Sequence, residues 1–320
     1  MTFTDSLKQG FEVLNKNWAV VAIQLVVVFV TMTGLVVLIA IPLVLAAVVF
    51  GSNLTEIVNN FSMEYLARLI TARHLTIAIV IALVLTIYII AMFLLLFFIY
   101  GASCGLLGRS VREPEHGFTL RGFYVEGKRM FFPLLGFNVV IGLIAVTESV
   151  VIALCYLFIL SLRDMANAGS TPVGNFIDIF SALITLTVLF FLLTGTLSVN
   201  VYGTAILALR GGGVFSALRG SVLLIINRPS AYWFYIICIV GFVVCSLVMV
   251  ILVAIISMIP LVGKLLAIPL QLLIQVAQSY MGLLAISSVF SYYHGLIAGG
   301  SSPQSGILTE VAVSIDPPAG

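Results

Sequence analysis

Short amphipathic stretches alternate along this chain with long stretches that are apolar on every face. In the first amphipathic stretch Leu7, Phe11, Leu14 and Trp18 recur at helical spacing, while Lys8, Glu12, Asn15 and Lys16 fall largely elsewhere. The same arrangement returns twice. Leu7-Lys8, Lys16 and Trp18 are echoed by Leu120-Arg121, Arg129 and Phe131-Phe132, and again by Leu218-Arg219, Arg228 and Tyr232-Trp233. Self-similarity at a long period is the signature of internal repeats. Each amphipathic lead-in precedes two long apolar runs, so the pattern predicts three parallel units, each an interfacial helix followed by a helical hairpin. The units cover residues 1–112, 113–211 and 212–300. The expected fold is an all-α polytopic membrane protein with six transmembrane helices, a single membrane domain over residues 1–300 and a flexible cytoplasmic tail over residues 301–320.

The six apolar runs are residues 18–49, 74–100, 131–162, 176–209, 232–259 and 265–296. Each exceeds the roughly 20 residues that a crossing helix needs, and none shows the short alternation of a barrel strand. Pro42, Pro260 and Pro269 are expected to mark kinks or turns. Thr4 or Asp5 is placed to cap the first lead-in. Between the first two runs, residues 52–73 predict a further amphipathic helix headed by Asn53 and Glu56. Residues 163–175, with Gly169-Ser170-Thr171-Pro172, predict a flexible loop, and residues 260–264 a tight turn. In the tail, Val311, Val313 and Ile315 alternate as a strand added to a partner's sheet edge would.

Composition supports a solvent that is partly lipid: 62% of residues are hydrophobic and 8% charged. A net charge of +2 implies no nucleic-acid partner. Ten of the 14 Lys and Arg residues flank one set of helix ends, namely Lys8, Lys16, Arg109, Arg112, Arg121, Lys128, Arg129, Arg210, Arg219 and Arg228. The positive-inside rule then puts both termini in the cytoplasm, and the amphipathic N-terminus predicts no cleavable signal peptide. Lys8, Lys16, Arg121, Arg129, Arg219 and Arg228 lie on the polar edges of the lead-ins, where they can meet anionic headgroups of the bilayer. Cys104, Cys155, Cys238 and Cys245 read as small buried hydrophobes.

The candidate chemistry lies inside the apolar runs. Glu148 sits about midway along the third run, where a carboxylate costs roughly 2.5 kcal/mol or more to insert and so faces the bundle or a wet cavity. It reads as a proton, cation or polar-substrate contact, or as a hydrogen-bonding tie to another helix. Gln271, Gln275 and Gln278 share one helical face, and Asn200 ends a series of Thr and Ser on the fourth run. Such stripes either join helices by hydrogen bonds or line a polar groove. His74, His116 and His294 are scattered, no catalytic or phosphate-binding motif occurs, and neither a metal, a cofactor nor an enzymatic activity is expected.

The alternation of basic lead-in and long hairpin, with Asn15-Lys16-Asn17-Trp18 and Asn227-Arg228-Pro229 at the junctions, resembles a broad family of bacterial six-helix inner-membrane proteins. That family includes the membrane domain fused to some glycerophosphodiester phosphodiesterases. The resemblance covers residues 1–300 and implies a prokaryotic inner membrane and an accessory, structural or lipid-related role. It implies no phosphodiesterase activity, which belongs to a barrel domain that this sequence does not contain. The expected function is a scaffold or accessory subunit beside a membrane-protein partner. The alternative is a transporter or lipid-handling protein with a polar site around Glu148 and the glutamine stripe.

Overall fold

A computed structural model of the chain describes residues 2–50, 75–115, 117–165, 172–259 and 262–299. They form eight α-helices: α1 (Phe3–Lys16), α2 (Ala19–Phe50), α3 (Leu75–Arg112), α4 (Leu120–Met165), α5 (Pro172–Arg210), α6 (Val214–Asn227), α7 (Pro229–Ser257) and α8 (Val262–Gly299). Among the described residues, six stretches are long and apolar enough to cross a membrane: Ala19–Leu38, Ala82–Arg112, Leu120–Ser161, Ile179–Arg210, Pro229–Ser257 and Pro269–Ala298. At most 22% of the most apolar part of any of them is buried, so their surfaces require an apolar solvent. The expected helix at residues 52–73, the centre of the second outer loop, Pro260 and the tail lie outside the described residues.

Local chemistry sets the helix ends, with corrections to the sequence expectation. The cap of α1 is Thr2, not Thr4 or Asp5. The Thr2 hydroxyl accepts from the Asp5 amide at 3.2 Å, and the Asp5 carboxylate accepts from the Thr2 amide at 3.0 Å. Donation from the Thr2 hydroxyl, at 2.6 Å, holds the Asp5 carboxyl below its ordinary pKa. Asn17-Trp18 breaks α1 from α2, and Pro229 at the first position of α7 breaks it from α6. The second lead-in has no such break: α4 runs unbroken from lead-in to span, through Pro133. The five residues before that proline, Lys128 to Phe132, include no Asn, Gly or turn, and its missing N–H removes one helical bond without releasing the rest. Pro42 and Pro269 likewise lie inside continuous helices. Between α5 and α6, Gly211 and Gly212 take φ of 74° and 103°, a region that side chains disfavour.

The chain divides into two compact units, Ala22–Tyr100 and the remainder. In the smaller one, the Tyr88 hydroxyl of α3 donates to the Thr31 carbonyl of α2 at 3.0 Å, over Gly34, whose missing Cβ leaves room for the phenol. In the larger one, α1 packs on α8, α8 on α7 and α5, and α5 on α4 and α6. Its buried side chains gather where the last turns of α3, α5 and α8 meet the lead-ins: Leu107, Leu207 and Phe290 beside Leu14, Met130 and Phe234. Cys104 and Cys238 are buried as expected, but Cys155 and Cys245 are exposed on their spans, where a thiol serves as a small lipid-facing hydrophobe.

Candidate functional site

The lead-ins α1 and α6 turn small residues inward together with a Leu, and the start of α4 turns Phe123, Glu126 and Met130 inward. In α1 the buried positions are Ser6, Gly10, Val13 and Leu14. The Ser287 hydroxyl of α8 donates to the Gly10 carbonyl at 2.9 Å, and a Cβ at Gly10 would fall 2.7 Å from the Ser288 backbone. In α6 the buried positions are Ala217, Ser221 and Leu224, and a Cβ at Gly220 would meet Ile206 of α5 at 3.1 Å. At the start of α4, Glu126 and Met130 close against Gly105 of α3. Close approach through small residues is how helices associate where lipid removes the hydrophobic drive. Leu14, Phe123, Met130 and Leu224 are buried, whereas other large apolar residues of the lead-ins are not. Phe11 and Trp18, Tyr124 and Phe132, and Phe215 and Trp233 are all exposed.

The densest polar cluster surrounds the C-terminal end of α5. A helix end leaves carbonyls without intrahelical donors, and basic groups are favoured there. Arg129 donates to the Ala208 carbonyl at 3.1 Å and Arg112 to the Leu209 carbonyl at 3.1 Å. Arg210 lies 5.9 Å over the Tyr293 ring of α8. Arg129 also pairs with Glu126 at 2.8 Å, where the Glu126 side chain is only 7% exposed. The short distance defines an ion pair although the geometry at the buried Glu126 Oε2 is not that of a hydrogen bond. Nearby, the buried Asn17 amide donates to the Val13 carbonyl at 2.8 Å and to the Ser110 hydroxyl of α3 at 3.0 Å. Asn17 is visible in the sequence only as part of the first junction, and Glu126 does not stand out. Glu126 does fall at helical spacing with Phe123 and Met130, a face that proves buried.

The candidates inside the spans divide. Glu148, half-buried, accepts a 2.6 Å hydrogen bond from the Thr196 hydroxyl of α5, so its carboxyl ties α4 to α5. Thr194 and Tyr232 make the comparable contact between α5 and α7 at 2.8 Å, and the Tyr202 hydroxyl donates to the Ala231 carbonyl at 2.8 Å. Gln275 and Gln278 are half-buried and Gln271 exposed, and no described contact joins the stripe to Glu148. The Asn200 Oδ1 is buried with no hydrogen-bond partner among the described residues.

The six lead-in cations divide as well. Arg129 caps α5, and Lys16 donates to the Pro114 carbonyl at 3.1 Å. Lys8, Arg121, Arg219 and Arg228 are exposed, with no hydrogen bond or ion pair among the described residues. No protein-family profile, curated protein or solved structure matches this chain.

Proposed function

We propose that this chain is a non-enzymatic integral membrane protein that acts as a scaffold or accessory subunit of a membrane complex. The reading rests on how its polar side chains are used. Glu148, Arg112, Arg129, Asn17 and Tyr202 all join one helix to another, which is structural work. The outer flanks of the spans meanwhile offer long uncovered apolar surface, suited to lipid or to a partner's helices. The distribution of Lys and Arg supports both termini in the cytoplasm, and the resemblance of the alternating pattern to bacterial six-helix inner-membrane proteins supports a bacterial inner membrane. Docking of α1 on α8, of the start of α4 on α3, and of α6 on α5 supports the reading as three parallel repeats, each lead-in resting on the return helix of the unit before it. Native mass spectrometry after gentle extraction tests the function: a stoichiometric protein partner is the expected outcome.

A lone chain retaining a specific small molecule or lipid within its spans would favour the second reading, a transporter or lipid-handling protein. Its support is the buried Asn200 Oδ1, which has no hydrogen-bond partner among the described residues and is able to accept from a polar group, and, separately, the half-buried Gln275 and Gln278. On that reading Glu148→Gln alters flux or lipid distribution at unchanged folded yield; unchanged flux excludes it.

A further inference from the structure

We infer that the three lead-ins are separate seats for anionic phospholipid headgroups, with Lys8, Arg121 and Arg219 as the residues that hold the phosphate. The inference goes beyond the scaffold reading and does not depend on which protein partner, if any, the chain has.

Each seat combines two observations. The first is an exposed cation: the described residues provide Lys8, Arg121 and Arg219 with no hydrogen bond or ion pair, and of the three only Lys8 lies in the field of an acid, Asp5. The second is exposed apolar surface one helical turn away. Phe11 follows Lys8 by three positions, Tyr124 and Val125 follow Arg121 by three and four, and Phe215 precedes Arg219 by four while Val222 follows it by three. Residues three or four apart share a helix face. Cation and exposed apolar residue therefore share one surface, although Phe11 also meets the Tyr280 ring of α8 edge-on, while Leu14, Met130 and Leu224 lie on the buried faces. A cytoplasmic helix docked for packing alone would be expected to bury its large apolar residues. Here Phe215 is 76% exposed and Phe11 47%.

Connectivity supplies the occupant. α1 is followed after two residues by the span of α2, α6 after one residue by that of α7, and the start of α4 is continuous with its own span. The exposed faces therefore lie at the membrane boundary. There an aromatic ring enters the headgroup layer, and a long basic side chain reaches the phosphate along its apolar stem. Charge complementarity selects an anionic lipid over a zwitterionic one. Opposing acids are few. On α1, Asp5 is bonded to Thr2 and also interacts electrostatically with Lys8, and Glu12 is the one acid without a hydrogen bond. On the α4 lead-in, Glu126 is paired inward with Arg129, and α6 carries no acid. Arg129 and Lys16 already serve as caps and are not part of the seats.

The test uses the full chain in nanodiscs of phosphatidylglycerol and phosphatidylcholine mixed in equal amounts, with retained lipids counted by native mass spectrometry. The native chain should retain phosphatidylglycerol in excess of its bulk share. Each of Lys8→Gln, Arg121→Gln and Arg219→Gln should weaken that preference about fivefold at one seat, from the ~1 kcal/mol that one basic residue contributes near an anionic surface. The triple variant should return the ratio to that of the bulk lipid, and a triple variant exchanging Lys for Arg and Arg for Lys should keep the enrichment. Unfolding in pure phosphatidylcholine, expected to be unchanged, separates loss of a seat from loss of the fold. Absence of enrichment in the native chain, or enrichment undiminished in the triple Gln variant, overturns the inference.

Discussion

Helix α5 passes through two regions built on different rules. Its last turns, with Tyr202, Leu207 and Ala208, are as buried as the core of a soluble protein. Its middle, with Leu186, Phe190 and Phe191, is exposed by half or more. The same contrast separates Phe137 from Phe158 on α4 and Phe234 from Leu247 on α7. Water accounts for the first region: at the membrane boundary, apolar side chains that stay apart face an aqueous phase, and burial stabilises the fold. In the spans, lipid tails are as apolar as Leu, so burying Leu against Leu gains little. What joins helices there is a few hydroxyl and carboxyl contacts, such as Thr196 to Glu148 and Thr194 to Tyr232. The basic end is thus a packed knot, and the arms beyond it are held by sparse polar ties.

The contrast is broken most directly at glycine. Gly10→Ala places a Cβ against the Ser288 backbone, which cannot yield without moving α1 off α8. About 2–3 kcal/mol of destabilisation is expected from such overpacking. Gly142→Ala and Gly241→Ala, with nothing within 4 Å of the added carbon, should stay within about 0.5 kcal/mol. Thermal unfolding in one detergent compares all three, and a Gly10 variant as stable as the other two would remove the distinction between knot and arms.

A smaller effect is expected at the polar centre of the knot. Arg129→Met leaves the buried Glu126 carboxylate without its ion pair and the Ala208 carbonyl without its donor. The expected loss is roughly 1–3 kcal/mol, with partial recovery when Glu126→Gln is added. A double-mutant cycle measures the coupling, which should be clearly non-zero.

The smallest effect belongs to the arms. Thr196→Val removes the hydroxyl that holds Glu148 and should cost about 0.6–1.7 kcal/mol. Thr187→Val, where the hydroxyl bonds only the Leu183 carbonyl of its own helix, should cost less. Equal losses in the two variants would mean that the Glu148 contact does not tie α4 to α5.

Long apolar runs announce spans because length and composition suffice for that, and the basic lead-ins are visible as charge beside helical periodicity. The tie from Glu148 to another helix was one of two open readings, but Thr196 as its partner was not legible, since 48 residues separate them. Nor was it legible that Arg129 and Lys16 turn to backbone carbonyls while Arg121 and Arg219 remain free. A side chain's charge is local, but its partner is supplied by another element. The lead-in helix predicted to run separately before the third span failed for a local reason: Pro133 ends a helix only where its neighbours also favour a turn, and here they do not.

By itself, then, the sequence determined an all-α chain with six membrane-length apolar helices and basic residues concentrated at one set of their ends, because hydropathy, helical period and charge are properties of consecutive residues. Only the tertiary structure decided which face of each lead-in is buried. Periodicity alone marks Leu7, Phe11, Leu14 and Trp18 as the apolar side of α1; of these only Leu14 is buried, and the packed side is Ser6, Gly10, Val13 and Leu14. The reason is steric: α8 comes close enough for Ser287 to bond the Gly10 carbonyl, and at that separation only small side chains fit between two backbones.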